Sequence, residues 1–368
     1  MTSSPAVASR ALLDLTLSEL EASLRDQGLP PFRALQVWQG VYRDLALSYD
    51  EITTLPRALR QELFEGLSYT PLAEVRAEES ADRLARKGLY RLADGETVES
   101  VLLFYERRQS VCVSTQVGCA LSCLFCATGK AGFVRDLAAG EIVGQVLAAA
   151  RVLHSRGERL THVVYMGMGE PFLNYEATLR SIRILNDKDG FDLRARAFTV
   201  STVGIVPGIE HFAREGIQAN LAVSLHAGTD ALRDRLVPAN RLYPLADLLR
   251  ACRAYTEKTH RRVTFEVALI DGVNDGVEDA RAIARLLQGL LCHVNLIPMN
   301  PVPGTALRPS ARDRVDAFAN ELKKAHVPVT VRLGRGIEIQ AGCGQLRGSA
   351  SARGGRGRSR APASPSAR

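Results

Sequence analysis

The stretch "VCVSTQVGCALSCLFCATG" (residues 111–129) carries four of the chain's seven cysteines. Cys119, Cys123 and Cys126 stand in C-x3-C-x2-C spacing, and Cys112 lies seven residues upstream. The run "VCVST" alternates like a strand, so the trio sits on the loop that leaves it. An odd, tightly clustered set of cysteines is no disulfide framework and reads as metal or redox chemistry. Thiolate is the preferred ligand of zinc and of iron–sulfur iron. A structural zinc site wants four protein ligands, whereas three thiolates on a four-iron cubane leave one iron open to a substrate or cofactor. Two other readings stand beside the cluster: zinc with a distant fourth ligand, and three buried structural cysteines.

Downstream the pattern repeats. Strand-like runs "THVVYMG" (161–167), "RAFTVST" (196–202), "QANLAVSLH" (218–226), "RVTFEVALI" (262–270), "CHVNLIPM" (292–299) and "PVTVRL" (328–333) alternate with amphipathic helical segments. Strand, helix, strand repeated about six times predicts a parallel sheet with right-handed crossovers. The expected fold is α/β, a partial (β/α)6 barrel. Chemistry in such barrels sits on the loops after the strands' C-terminal ends. The unusual residues obey that rule: the cysteine trio, then "GMGEP" (167–171), "STVG" (201–204), "SLHA" (224–227) and "MNPVPGT" (299–305).

Upstream, Thr16 and Glu19 have capping-box spacing and Gly28 is a stop signal. Further helices are expected in "FRALQVWQGVYRDL" (32–45) and "PRALRQELFEGL" (56–67). Residues 1–70 therefore read as a small helical accessory domain. Residues 71–110 read as a β-hairpin linker turning at Asp94-Gly95, residues 111–348 as the barrel core, and residues 349–368 as a disordered basic tail.

The 46% hydrophobic and 24% charged content is that of a globular protein, and no apolar run of about 18 residues predicts a membrane span. The N-terminus lacks a basic region followed by an apolar one, so a cytoplasmic chain is expected. The net charge of +7 is concentrated: residues 347–368 hold six Arg and no acid, leaving 41 basic residues against 40 acidic ones. The charge balance therefore hints at a polyanion partner only through the tail.

C-x3-C-x2-C after the first strand of a β/α barrel resembles the radical S-adenosylmethionine enzymes. Within them the chain resembles the RlmN/Cfr RNA adenine methyltransferases. The resemblance rests on "GLPPFRALQVWQGVY", "VESVLL", "CVSTQVGCALSCLFCATG", "YMGMGEP", "TVSTVG", "AVSLHA", "NLIPMNPVPG" and "CGQLRG". Together they span about residues 15–348. It implies a [4Fe–4S] cluster on Cys119, Cys123 and Cys126 and two S-adenosylmethionine molecules per turnover. Gly169 and Glu170 would meet the cofactor's amino end, Ser201, Ser224, Leu225 and His226 its carboxylate or ribose, and Asn300 the cofactor as well. Adenine C2 is an electron-poor carbon, so its methylation needs a radical route that a cofactor supplies. The resemblance makes Cys343, in "AGCGQL", the methyl carrier. It makes Cys112 the thiol that frees the product through a transient disulfide, and Glu99, in "VESVLL", the general base. Taken alone, Glu99 reads as a solvated strand residue and His226 as a strand-end histidine.

The implied substrates are an adenine of 23S rRNA at the peptidyl-transferase centre and the adenine 3′ of the anticodon in tRNA. An electron donor such as flavodoxin or ferredoxin and a monomeric enzyme are expected. Arg33, Trp38, Tyr42 and Arg43 offer RNA stacking and phosphate contacts, or else Trp38 and Tyr42 belong to the core. Cys252 and Cys292 read as structural. Competing readings are a Cfr-type adenine-C8 methyltransferase, a radical enzyme acting on a protein or small molecule, and a zinc-containing RNA-binding protein without catalysis.

Overall fold

The structure, a computed structural model, describes residues 11–302, 304–332 and 334–348. The basic tail expected over residues 349–368 lies outside the described residues. Three helices come first: α1 (Leu17–Asp26), α2 (Pro31–Tyr42) and α3 (Arg57–Gly66). The predicted capping box starts α1, with Glu19 accepting from the Thr16 amide at 2.8 Å and Thr16 Oγ1 accepting from the Glu19 amide at 3.4 Å. Pro31 opens α2 in its first turn, where a missing N–H breaks no helical bond.

A meander follows. Strands β1 (Ala73–Glu79), β2 (Ala85–Arg91), β3 (Thr97–Tyr105) and β4 (Arg108–Cys112) pair antiparallel in chain order. The β2–β3 turn falls at Asp94-Gly95, with Gly95 at φ 87°. The segment expected as a hairpin linker is thus the antiparallel edge of the main sheet. A ribbon of β5 (Gln116–Gly118) and β6 (Phe133–Asp136) brackets the cysteine loop and a short helix α4 (Ala127–Ala131). Next come α5 (Ala139–His154), β7 (His162–Tyr165), α6 (Tyr175–Asn186), β8 (Phe198–Thr202), α7 (Val206–Phe212) and β9 (Asn220–Ser224). The chain continues through α8 (Asp230–Leu236), α9 (Leu245–Thr259), β10 (Val263–Leu269), α10 (Val277–Leu287), β11 (Cys292–Pro298), α11 (Arg312–Lys324) and β12 (Val329–Val331).

From β4 onward, β7, β8, β9, β10, β11 and β12 join in chain order, every pair parallel. The result is the expected α/β barrel architecture with short helical crossovers. Along β10, Phe265 and Val267 pack in the main core while Glu266 and Ala268 line an interior cavity, the alternation of a sheet that curls around its own inner face. The first parallel strand stops at Cys112, before the expected Thr115. Gln145 removes Ser114 from the ladder, accepting from its amide (2.8 Å) and donating to its carbonyl (3.0 Å).

The helical unit is fastened to the barrel. Trp38 is fully buried, its Nε1 donates to Asp187 Oδ1 at 3.1 Å, and its ring lies 4.3 Å from that of Tyr42. Arg43 donates to the carbonyls of Lys188 (2.9 Å) and Gly190 (3.4 Å). This corrects the RNA-stacking option for Trp38 and Tyr42: both rings are core, because the apolar stripe of α2 needs a partner surface. Arg33 remains at the surface, donating to Gln36 at 2.8 Å and lying over the exposed Phe32 ring.

Arg180 on α6 grips the Glu19 carboxylate with two hydrogen bonds, 2.6 and 3.0 Å. That contact, above all, holds Glu19 near pKa 2 rather than 4.5. A depressed carboxyl stabilises the fold above its unfolded pKa and loses the contribution as pH falls through the folded one. Glu19→Gln is therefore expected to flatten the loss of thermal stability between pH 4.5 and 2. Parallel melting-temperature curves for the two proteins over that window would refute the assignment.

Candidate active site

The C-terminal ends of the parallel strands open into one cavity, and every residue assigned from the sequence to catalysis, cofactor or metal lies on its wall except Glu99 and Leu225. Cys119, Cys123 and Cys126 sit on the loop between β5 and α4. Backbone bonds fix this loop: the Cys119 amide to Gly132 O (2.8 Å), the Leu124 amide to Leu236 O (3.0 Å) and the Cys126 amide to Cys123 O (3.1 Å). Burial pushes the Cys119 thiol up to about 11 and raises Cys123 further. Thiols so desolvated release their protons to a metal far more readily than to water. Among the described residues no three His, Cys, Asp or Glu donors converge on a single-ion position. A cubane takes one thiolate at each of separate corners, and three thiols lining one cavity fit that demand.

Beside the trio, Gly169 and Glu170 follow β7. Gly169 has φ 99°, and a Cβ there would lie 2.6 Å from the Gln116 side chain, so the loop requires glycine. Gln116 in turn accepts from the Glu170 amide at 2.9 Å and donates to Asp136 at 2.7 Å. The Glu170 carboxylate is buried, accepts from the amides of Phe172 (3.0 Å) and Val203 (2.8 Å), and is pushed up to about 7 by burial. It ties the second loop to the third and leaves a titratable carboxyl facing the trio.

Ser201 and Ser224 end β8 and β9 on the cavity wall. His226 adopts φ 61°, and its Nδ1 accepts from the Ala268 amide at 3.0 Å, which places the ring proton on Nε2. Burial, helped by Arg233, lowers its pKa to about 3, so the ring is neutral. Leu225 is fully buried beneath the wall; only its backbone is engaged, by the Glu266 carbonyl and by Arg233. Arg233, which the sequence reading passed over, is itself fully buried and donates to the carbonyls of Leu225, Ser224 and Val203 and to Asn240. One cation thus gathers the ends of two strands. An Arg in a helical run looks like a surface residue, so no sequence signal marked it.

Cys343 reaches the same cavity from the other end of the chain. Its segment has no regular structure and is held by hydrogen bonds and by Ala341 and Leu346, which are buried in the main core. The Ala127 amide donates to Gly344 O (2.7 Å), Thr128 Oγ1 to Leu346 O (2.6 Å), and Gln345 Nε2 to Pro301 O (2.8 Å). Asn300 Nδ2 donates to the Cys343 carbonyl at 3.0 Å, leaving its Oδ1 buried and without a hydrogen-bond partner. The methyl-carrier candidate is thereby attached to the helix that follows the trio. Solvent reaches Cys343, yet the concave wall around it raises its thiol, with Arg332 opposing the shift. Cys112, at the end of β4, is pushed up to about 12 by burial and next by the Cys343 sulfur, its electrostatic neighbour. All cysteines among the described residues are free thiols, and Cys252 and Cys292 are buried in the main core.

Glu99 is not brought into the cavity. On β3 it shares a face with Val101 and Leu103, which do line it, but the Glu99 carboxylate turns into a separate cleft beside Lys87. There it accepts from the amides of Arg347 (2.7 Å) and Gly348 (3.3 Å), with Lys87 Nζ at 3.4 Å. Two unanticipated charges do face the cavity: Glu266 on β10 and Arg332 just after β12. A glutamate in the apolar run "VTFEVALI" was the available signal, since an ionisable group amid buried strand residues needs a reason.

A wider cleft of about 880 Å³ opens at the opposite end of the strands, between Tyr42, Arg43 and the starts of β7 and β8. It holds none of the cysteines and none of the strand-end motif residues, so the chemistry belongs to the smaller cavity.

Comparison with known proteins agrees with this geometry. Residues 113–287 match the radical SAM superfamily, and residues 10–67 match the ribosomal RNA large subunit methyltransferase N-terminal domain. The chain is 48% identical over 357 residues to the probable dual-specificity RNA methyltransferase RlmN of Chloroflexus aurantiacus, covering 93% of this chain and 94% of that one. It is 46% identical over 349 residues to the dual-specificity RNA methyltransferase RlmN 1 of Myxococcus xanthus, covering 95% and 97%. The crystal structure of a radical SAM methyltransferase from Sphaerobacter thermophilus superposes with a TM-score of 0.91 at 52% identity, over 92% of this chain and all of that one. With near-complete coverage at this identity and a cavity that assembles the expected thiols, the chain belongs to the RlmN family of radical SAM RNA methyltransferases.

Proposed function

We propose that this enzyme methylates C2 of adenine in 23S rRNA at the peptidyl-transferase centre and in tRNA at the position 3′ of the anticodon. The observation that carries the reading is the meeting of Cys112 and Cys343 in the cavity that also holds the cysteine trio. A radical enzyme with another substrate has no use for that pair. Cys119, Cys123 and Cys126 would hold the [4Fe–4S] cluster. Gly169, Glu170, Ser201, Ser224, His226 and Asn300 would surround S-adenosylmethionine, with Leu225 fixing the backbone beneath it. When bound, these groups would supply a carbon-centred radical through reductive cleavage of the sulfonium. Cys343 carries the methyl carbon that ends on the base, and the Cys112 thiolate then attacks the Cys343 sulfur. A Cys112–Cys343 disulfide forms as the S–C bond to the product breaks, the electron pair leaving on the product carbon, which takes up a proton. A thiol reductant reopens the disulfide before the next turnover. Glu99 takes the proton from the base at the cavity rim once RNA frees it from the Arg347 and Gly348 amides. Two S-adenosylmethionine molecules are used per turnover. A flavodoxin- or ferredoxin-type donor would supply the electron to the bound cluster, and the enzyme would work as a cytoplasmic monomer.

Digestion of treated rRNA and tRNA to nucleosides, followed by mass spectrometry, tests the regiochemistry. The expected product is 2-methyladenosine; 8-methyladenosine would replace this reading with the C8 one. Anaerobic purification should give a brown protein with iron and sulfide, and stoichiometric zinc in a colourless protein would overturn the cluster.

A further inference from the structure

The inner wall of the barrel carries a polar row across three adjacent strands. Glu266 on β10 is in register with Ser224 on β9 and with Asn295 on β11. Asn295 Nδ2 donates to Glu266 Oε1 at 3.0 Å, which fixes the carboxylate plane. Glu266 Oε2 is buried and has no hydrogen-bond partner, and Arg332 Nη1 stands 3.7 Å from it, beyond hydrogen-bond range. A buried carboxylate oxygen without a donor is costly, so the folded chain keeps an acceptor ready for something that enters the cavity. Its location narrows the choice. Glu170 follows β7 beside the loop of the cysteine trio, whereas Glu266 lies on β10, three strands further across the sheet, and Arg332 just beyond β12. The pair lines the same cavity as Cys343 from that far side, where a base must arrive.

Resting on the adenine reading above, we infer that Glu266 and Arg332 are the specificity-determining pair for the target base. The free Glu266 oxygen accepts a hydrogen from the 6-amino group, and Arg332 donates to the adjoining ring nitrogen N1. The two groups present an acceptor and a donor side by side, matching the donor–acceptor order of that edge of adenine. N1 is bonded to C2, so a base held this way offers C2 on the Arg332 side, towards Cys343. A guanine carries a carbonyl at position 6 and would set oxygen against oxygen.

The test uses the complete, cofactor-loaded enzyme and two anticodon stem-loop RNAs. One carries adenosine at the target position and the other purine riboside, which lacks the 6-amino group but keeps N1. Wild type should favour adenosine by about tenfold or more in kcat/KM, as expected for a hydrogen bond to a charged group. In Glu266→Gln, Asn295 keeps the amide oxygen and the amide nitrogen replaces the acceptor. That variant and Glu266→Ala should show a ratio near one. Arg332→Leu should weaken both substrates by the same factor and preserve the ratio. Equilibrium Kd values for the two RNAs, measured without reductant, give the same comparison without turnover. A wild-type ratio near one, or a ratio unchanged in both Glu266 variants, overturns the inference. A raised KM for S-adenosylmethionine in those variants, with the ratio intact, would assign the carboxylate to the cofactor instead. Wild type that discriminates in Kd yet forms no methylated base would defeat the proposed function and leave the base-reading pair standing.

Discussion

Replacing Cys343 with alanine is expected to abolish RNA methylation, a loss of about 10⁴-fold or more, while leaving the iron site intact. A side chain that forms the covalent intermediate has no substitute, so its removal costs nearly the whole catalysed reaction. The structure explains why the damage should be confined to chemistry. The bonds that seat this segment come from Gly344, Gln345 and Leu346 and from the Cys343 carbonyl, all of which survive the substitution. Iron content and melting temperature should therefore match wild type, and a nucleoside assay should find no methylated adenosine. Undiminished methylation would eliminate the carrier role. Loss of iron together with activity would instead make Cys343 part of the metal site.

Cys112→Ala should fail at a later stage. The base is attacked and the covalent enzyme–RNA species forms, but no thiol is left to open it. The variant should accumulate a protein–RNA conjugate of about one RNA per chain, visible on a denaturing gel and by intact mass, with free product falling by about 10²-fold or more. The conjugate should be absent when Cys343 is also replaced, which separates it from adventitious crosslinking. Fully methylated RNA released at the wild-type rate would remove Cys112 from the mechanism. Cys112 is half-buried at the end of β4 and shares the cavity lining with Cys343, so pairing with Cys343 is the use the geometry leaves it.

The parts of the fold that could be read in advance are those where local chemistry and tertiary packing agree. The Thr16–Glu19 cap, the Asp94-Gly95 turn and the alternation of strands with helices each rest on a few adjacent residues. Glycine at position 169 was legible because a tight loop tolerates nothing larger. The ribbon of β5 and β6 was not, since strands of three and four residues carry too little periodicity to register. Trp38 and Tyr42 were ambiguous because an aromatic pair looks the same whether it stacks on a base or on a neighbouring helix. The positions of Glu99, Glu266 and Arg332 depend on which way a side chain turns at a strand end. That is decided by partners distant in sequence, such as the Arg347 amide and the Asn295 side chain.

The attachment of residues 343–346 to the helix after Cys126 also has a consequence in time. During synthesis at about 5–20 residues per second, the three cluster thiols emerge roughly 10–40 s before the segment that walls them in. The chamber is therefore assembled from its deepest layer outward, and the last wall to arrive is the one that carries Cys343.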